Sequence, residues 1–312
     1  MNASVIIPTY NEADLLPGLL GDLKAQRGAD FELIVADADS TDATRDVARA
    51  SGARVVDGGM PAVGRNAGAR LASGDILIFL DADVRVPRTF VRRAVAGMKR
   101  RQLAAGTCPA RPISKLTTDR IIHNFANLFI RMNQRSDPHA AGYCLLVRKD
   151  AFDRIGGFDE SLKVAEDHDL VSRVSEIGPF RMLDSTFVRV SVRRYQKEGR
   201  IAYALKAIKI GLYRAAIGEI TEDSSVVDYD FGDFSEDDAR GSRRVLRQIE
   251  RGLIKLDRQT SRLDERVIEG NERRPGAYDQ WQRASQSLRE AWDTLFDSEP
   301  DGENAPERQS DR

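Results

Sequence analysis

Two aspartates one residue apart, Asp81 and Asp83, directly follow the apolar run Ile76-Leu77-Ile78-Phe79-Leu80. Carboxylates at that spacing, where a chain leaves a buried strand, can present oxygens to one divalent cation. A cation held there can bridge a diphosphate and neutralise the charge that develops on a leaving nucleotide. Ordinary turn chemistry also accounts for the tripeptide, since Asp is common at strand ends. A second acidic group, Asp37 with Asp39-Ser40-Thr41-Asp42, closes the run Phe31 to Ala36. A carboxylate there can accept hydrogen bonds from a base N–H or a ribose hydroxyl. Helix capping by Ser40, Thr41 or Asp42 explains part of the same segment.

A third cluster joins Gly156-Gly157-Phe158-Asp159-Glu160 to Glu166-Asp167-His168-Asp169. One of these acids could deprotonate an acceptor hydroxyl; as first-turn residues they would also favour a helix N-terminus. Gly64-Arg65-Asn66-Ala67-Gly68-Ala69 combines small residues, which permit close backbone approach, with a guanidinium that can meet a phosphate.

Other chemistries lack their residues. His123, His139 and His168 show no metal-ligand spacing, which argues against zinc. There is no Gly-x-Ser-x-Gly elbow and no Gly-x-x-x-x-Gly-Lys loop, which disfavours serine hydrolases and P-loop nucleotidases. No Gly-x-Gly-x-x-Gly follows the first apolar run, which argues against a dinucleotide dehydrogenase.

The elements that must hold these groups follow from periodicity. Ser4–Ile7, Phe31–Ala36, Arg54–Val56 and Ile76–Leu80 have the composition of strands. Helical patterns run from Glu12 to Ala25, from Ser40 or Asp42 to Ala50, and from Asn66 to Ala72. This β-α order predicts a doubly wound α/β domain, with the ligand crevice at the carboxyl ends of the strands. An amphipathic helix is expected over 116–135, a strand from Tyr143 to Val147, and a helix opening near Glu166. A further helix is expected over 201–220.

Beyond it, residues 222–239 carry a charge of −8 and have the character of a solvated linker. Leu246 to Val267 and Tyr278 to Leu295 repeat apolar positions at 3-4 spacing around Pro275-Gly276. That pattern predicts an antiparallel helical hairpin over 240–297. Residues 298–312 have the composition of a disordered tail.

The chain has 312 residues, 41% hydrophobic and 31% charged, which supports a sizeable core. Residues 1–221, the expected first domain, carry +7, which suits an anionic ligand or membrane surface. Two cysteines cannot build a disulfide framework, and no run is long and apolar enough to span a bilayer. A cytoplasmic location, peripheral on the inner face of the membrane, is the expectation.

Taken together and in order, the segments over about residues 3–200 resemble family 2 glycosyltransferases of the GT-A fold. Val5-Ile6-Ile7-Pro8-Thr9-Tyr10-Asn11-Glu12 is similar to that family's opening, and Val35–Asp42 resembles its nucleotide loop. Asp81-Ala82-Asp83 stands at the metal-binding Asp-x-Asp, and Gly142–Val147 with Gly156–Glu160 resembles the acceptor-side strand and loop. Glu166-Asp167 stands where the family keeps its base.

The resemblance implies that Pro8, Tyr10, Glu12, Asp37 and Asp39 hold the nucleoside, with Arg65 nearby. Asp81 and Asp83 would ligate Mn2+ or Mg2+, and Asp167 would be the base of an inverting displacement. The Arg193-Arg194-Tyr195 segment, Arg194 in particular, would steady the leaving diphosphate. The implied donor is a nucleotide-diphospho-sugar, with UDP the default base, and the acceptor a glycan or polyprenyl-phosphate-linked sugar. No nucleic-acid partner is expected; the hairpin suggests self-association. Ala38 and Asp39 depart from the family's pattern. The alternatives are a sugar-phosphate nucleotidyltransferase, and a non-catalytic scaffold that binds nucleotide-sugar.

Overall fold

The computed structural model describes residues 2–162 and 165–193. Arg194, the helix expected over 201–220, the linker 222–239, the hairpin 240–297 and the tail 298–312 lie outside the described residues.

Nine strands and seven helices follow one another among the described residues. The strands are β1 (Ala3–Thr9), β2 (Phe31–Asp37), β3 (Arg54–Asp57), β4 (Ile76–Leu80), β5 (Ala105–Thr107), β6 (Ala110–Pro112), β7 (Cys144–Arg148), β8 (Phe180–Met182) and β9 (Val188–Val190). The helices are α1 (Leu16–Lys24), α2 (Thr44–Ala50), α3 (Pro61–Leu71), α4 (Phe90–Arg100), α5 (Thr117–Asn133), α6 (Lys149–Arg154) and α7 (Glu166–Ser175).

Seven strands form one sheet in the order β3-β2-β1-β4-β7-β5-β8, and β6 pairs with β9 in a separate two-stranded sheet. Strands β1 to β4 are mutually parallel; β7 is antiparallel to both its neighbours. Strand order reverses between β1 and β4, so the crevice of this α/β sheet lies beyond their carboxyl ends. Thr9, Asp37 and Asp81 all emerge there.

Period-two alternation divides the core between the two faces. Val5, Ile7, Ile76, Ile78 and Leu80 pack with Leu16, Leu19 and Leu23 of α1 and Phe90, Val91 and Ala94 of α4. Ile6, Ile34, Leu77 and Phe79 pack with Ala62 and Ala69 of α3, Phe152 of α6, and Leu170, Val171 and Val174 of α7. Strand β4 is fully buried, as its unbroken apolar run requires.

Three expectations shift. Helix α3 begins at Pro61, five residues before Asn66, so Gly64-Arg65 lies inside the helix. Proline at the first turn suits a helix start, and tertiary packing tolerates the internal glycines. Neither Ser40 nor Asp42 is the N-cap of α2, which is Ala43 without a side-chain cap. Asp42 instead accepts the Thr44 N–H at 2.9 Å, and Ser40 bonds to Asp37.

Helix α5 is the third, because it turns a polar stripe inward. Asp119, His123, Asn127 and Arg131, four residues apart, are buried, whereas Leu116 just before the helix and Phe129 on it are each 47% exposed. Asn127 closes on both backbone groups of Ala110 at 2.8 and 2.9 Å, and Arg131 forks onto Asp184 at 2.7 and 2.9 Å. Hydrogen-bonded polar groups can replace apolar burial at such a face.

Gly68 of α3 lies against β1: a Cβ there would meet Ile6 Cγ2 at 2.4 Å. Gly68→Ala is therefore expected to lower stability by about 1–3 kcal/mol through overpacking, against the usual helix preference for alanine. Urea unfolding of the variant measures this directly.

Candidate active site

The loops after β1 and β2 are stitched together before any ligand is considered. Asn11 N–H donates to Ser40 Oγ at 2.8 Å, and Asn11 Oδ1 accepts Thr41 N–H at 2.9 Å. Glu12 N–H donates to Thr44 Oγ1 at 2.8 Å, and Ala13 N–H to Asp42 Oδ2 at 3.1 Å. Asp37 is buried beneath this seam, accepting from Thr9 Oγ1 at 2.9 Å, Ser40 N–H at 3.0 Å and Ser40 Oγ at 2.7 Å. Tyr10 is 62% exposed at the rim, Asp39 is also exposed, and Pro8 lies within β1. Asn11 and Asp39 both have left-handed backbone, φ 52° and 59°. Asn and Asp tolerate that region best among non-glycine residues.

Arg65 occupies the centre of the second half. It is only 4% exposed, on the second turn of α3. One terminal nitrogen lies 2.5 Å from Glu166 Oε1 and the other 3.2 Å from Asp81 Oδ1. Its guanidinium also stands 5.4 Å over the Phe158 ring, a cation–π contact.

Phe158 is held by the next residue of the same helix. Asn66 accepts the Phe158 N–H and donates to its carbonyl, both at 2.9 Å, and donates to Glu160 Oε1 at 2.9 Å. Gly157 must be glycine for this clamp, since φ is 82° and a Cβ would sit 2.6 Å from Asn66 Oδ1. At Gly142 the constraint is space alone, since a Cβ would meet the Arg65 guanidinium at 2.8 Å and Asp167 Oδ2 at 3.2 Å.

Asp167 stands at the start of α7, with Glu166 and Asp169 in the same turn, where the helix dipole favours acids. The residue before them, Ala165, is left-handed at φ 64°. Burial pushes the Asp167 carboxyl above the ordinary aspartate range; Arg65 and the His168 N–H oppose this, and the Asp81 charge adds to it. His168 also approaches Asp167, its Nε2 4.0 Å from Oδ1, and stacks on His139 at 5.3 Å.

Asp83 faces another way, with its Oδ2 3.1 Å from Arg193 Nε. Arg193 also forks onto both oxygens of Glu12. A cleft of about 340 Å³ opens beside this group, lined by Asp14, Leu15, Gly18, Asp83, Ile113 and Arg193 among others.

Residues 4–156 match the family model described as Glycosyl transferase family 2. That segment belongs to glycosyltransferase family 2.

Among curated relatives, validoxylamine A glucosyltransferase of Streptomyces hygroscopicus subsp. jinggangensis is 42% identical over 120 residues, 35% of this chain and 27% of that protein. The 4,4'-diaponeurosporenoate glycosyltransferase of Staphylococcus haemolyticus is 37% identical over 118 residues, 35% of this chain and 31% of that one. The chain thus spans about a quarter to a third of the length of those relatives. Mannosyltransferase PcManGT from Pyrobaculum calidifontis, solved with GDP-Man and Mn2+, matches 96% of this chain and 88% of its own. The TM-score is 0.56 at 19% identity, a likeness of fold. That fold is GT-A.

The two carboxylates after β4 are of the hard, oxygen-donating kind that suits a divalent cation. No group of three or more metal-ligating side chains is assembled among the described residues. Asp81 and Asp83, however, offer two carboxylates from one loop, and each already draws a guanidinium. Mg2+ and Mn2+ sites with one or two carboxylates, completed by water and substrate phosphates, need no more than this.

The motifs contained further residues of the site without showing what they meet. Asn66 and Gly157 fix Phe158, and Glu166 neutralises Arg65; only the three-dimensional contacts reveal these pairings.

Arg65→Met should cost about 3–5 kcal/mol, because it leaves Glu166 and Asp81 without their shared buried cation. Chemical denaturation is the measurement, and Arg65→Lys should recover only part, lacking the fork.

Proposed function

We propose that this chain transfers a sugar from a nucleotide-diphospho-sugar to an acceptor hydroxyl, with inversion at the anomeric carbon. The supporting observation is Arg65, 3.2 Å from Asp81 Oδ1 and 2.5 Å from Glu166 Oε1, the residue before Asp167, so that one guanidinium serves both the loop expected to hold metal and the helix turn expected to hold the base. Tyr10, Glu12 and Asp39, on the loops after β1 and β2, would form the nucleoside side, with Asp37 buried beneath them. Arg194 would add positive charge at the diphosphate.

In this reading the acceptor oxygen bonds to the anomeric carbon from the face opposite the nucleoside diphosphate. Its proton passes to the Asp167 carboxylate, and the bond from the anomeric carbon to the diphosphate oxygen breaks with its electron pair. A Mn2+ or Mg2+ ion held by Asp81 and Asp83 would supply the positive charge on which the leaving diphosphate depends. Arg65 keeps Asp167 ionisable by opposing the burial that would otherwise favour its protonated form.

Exposed Ile113, Leu116 and Phe129, at 37%, 47% and 47%, support an acceptor with an apolar portion, such as a lipid-linked glycan met at the membrane surface. No helix among the described residues is long and apolar enough to cross a membrane.

The test pairs two variants with UDP- and GDP-sugars, Mn2+ and released nucleoside diphosphate as readout. Asp167→Asn should lose at least about 100-fold in turnover while still binding donor. Asp83→Asn should lose turnover together with its metal dependence. Undiminished turnover in Asp167→Asn removes the proposed base, and pyrophosphate released from nucleoside triphosphate with sugar phosphate would favour a nucleotidyltransferase instead. Donor binding without turnover for any acceptor would favour a scaffold.

A pH series adds a second check. Because the Asp167 pKa is raised, the acidic limb of kcat/KM should lie above the ordinary aspartate range. Between the unfolded and the raised folded value, the folded chain holds a proton the unfolded chain has lost. Stability contributed by this group therefore falls as pH rises through that window, and Asp167→Asn should remove that slope.

A further inference from the structure

We infer that Arg193 competes with the divalent cation for Asp83, and that Glu12 belongs to the same cation site. Donor binding then transfers the Arg193 guanidinium from these carboxylates to the diphosphate. The inference rests on the glycosyltransferase reading above and adds a residue exchange to it.

The geometry separates fixed partners from an exchangeable one. Glu12 and Asp83 come from the loops after β1 and β4, and their side chains are only 14% and 15% exposed. Their carboxylates converge on one guanidinium: Asp83 Oδ2 is 3.1 Å from Arg193 Nε, and Glu12 Oε2 is 3.2 Å from its NH1. The Glu12 backbone is pinned by its N–H to Thr44 and by its carbonyl, which accepts the Leu15 and Leu16 N–H groups. Arg193, by contrast, carries a long side chain that is 49% exposed and reaches in from beyond β9. Two largely buried acids and one half-exposed cation make the cation the part that can leave.

Charge balance gives the exchange its direction. Glu12, Asp81, Asp83, Glu166 and Asp167 place five carboxyl groups around the crevice, against the guanidiniums of Arg65 and Arg193. Added positive charge at these carboxyl groups would favour the approach of a diphosphate. A divalent ion at Asp83 brings that charge, and it must take the carboxylate from Arg193 to do so. The displaced guanidinium stays tethered nearby, and its planar fork suits phosphate oxygens.

The experiment measures Mn2+ binding to the full chain, by the electron paramagnetic resonance signal of free Mn2+, with and without UDP. Removing a competing ion pair predicts that Arg193→Ala binds Mn2+ alone about fivefold more tightly than wild type. At saturating Mn2+ the same variant should bind UDP several-fold more weakly. Arg193→Lys should fall between, keeping the charge without the fork. Glu12→Gln should weaken Mn2+ binding. A merely structural Arg193 would not move the two affinities in opposite directions. Unchanged or weaker Mn2+ binding in Arg193→Ala, with binding lost in Asp83→Asn, overturns the exchange and leaves the proposed function standing. Mn2+ binding unaffected by Asp83→Asn overturns the metal role itself, and the exchange with it.

Discussion

A guanidinium removed from water is unfavourable unless several acceptors replace its hydration, and the crevice is organised around meeting that requirement for Arg65. Its acceptors come from positions 16, 77 and 101 residues away along the chain: Asp81, the Gly142 carbonyl and Glu166. One side chain therefore sets the relative positions of α3, the loop after β4, the segment entering β7 and the first turn of α7. Asp167 has its place because Glu166 has one. Its carboxyl is raised by burial and by Asp81 yet restrained by Arg65, so the cation that assembles the site also limits how far its acid is neutralised.

Asn66 and the β1–β2 seam extend that framework to either side. Asn66 fixes Phe158, whose ring faces Arg65 and packs edge-on against Phe79 of the buried strand, with centroids 5.2 Å apart. The polar centre is thus braced by the apolar core rather than by solvent-exposed loops. Three non-glycine residues with left-handed backbone, Asn11, Asp39 and Ala165, border the crevice. Strained backbone of this kind persists where surrounding bonds over-determine it, and here those bonds are the seam and the Arg65–Glu166 pair.

The strands that carry the site were legible because burial on both faces leaves unbroken β-branched and apolar runs, as in Ile76–Leu80 and Ser4–Ile7. Their order and the family resemblance gave the doubly wound architecture. The start of α3 was not legible, since two glycines weaken the helical pattern and only contact with Ile6 explains Gly68. Helix α5 was legible as a helix but its buried polar stripe was not, because Asn127 and Arg131 find backbone and carboxylate partners outside the helix. Pairings such as Glu12 with Arg193, 181 residues apart, leave no periodic trace at all. Local pattern reports which residue types are present; which charge meets which depends on the turns between them.

The Asp81-Ala82-Asp83 tripeptide shows how far that dependence goes. In an extended strand, residues two apart share one face, so spacing alone would aim both carboxylates the same way. Here the chain turns immediately after β4, with the Val84 N–H bonded to the Asp81 carbonyl at 3.2 Å. The two carboxylates consequently meet different cations, Arg65 toward α7 and Arg193 toward the β1 loop. A tripeptide that parts its acids in this way joins two electrostatic neighbourhoods instead of presenting a closed cage. Any cation shared by both acids must sit between those neighbourhoods, where it would complete its coordination with ligands the protein does not supply. That geometry suits an ion arriving together with phosphate oxygens, and it makes the turn after β4, more than the acids themselves, the feature that joins the β1 loop to the first turn of α7.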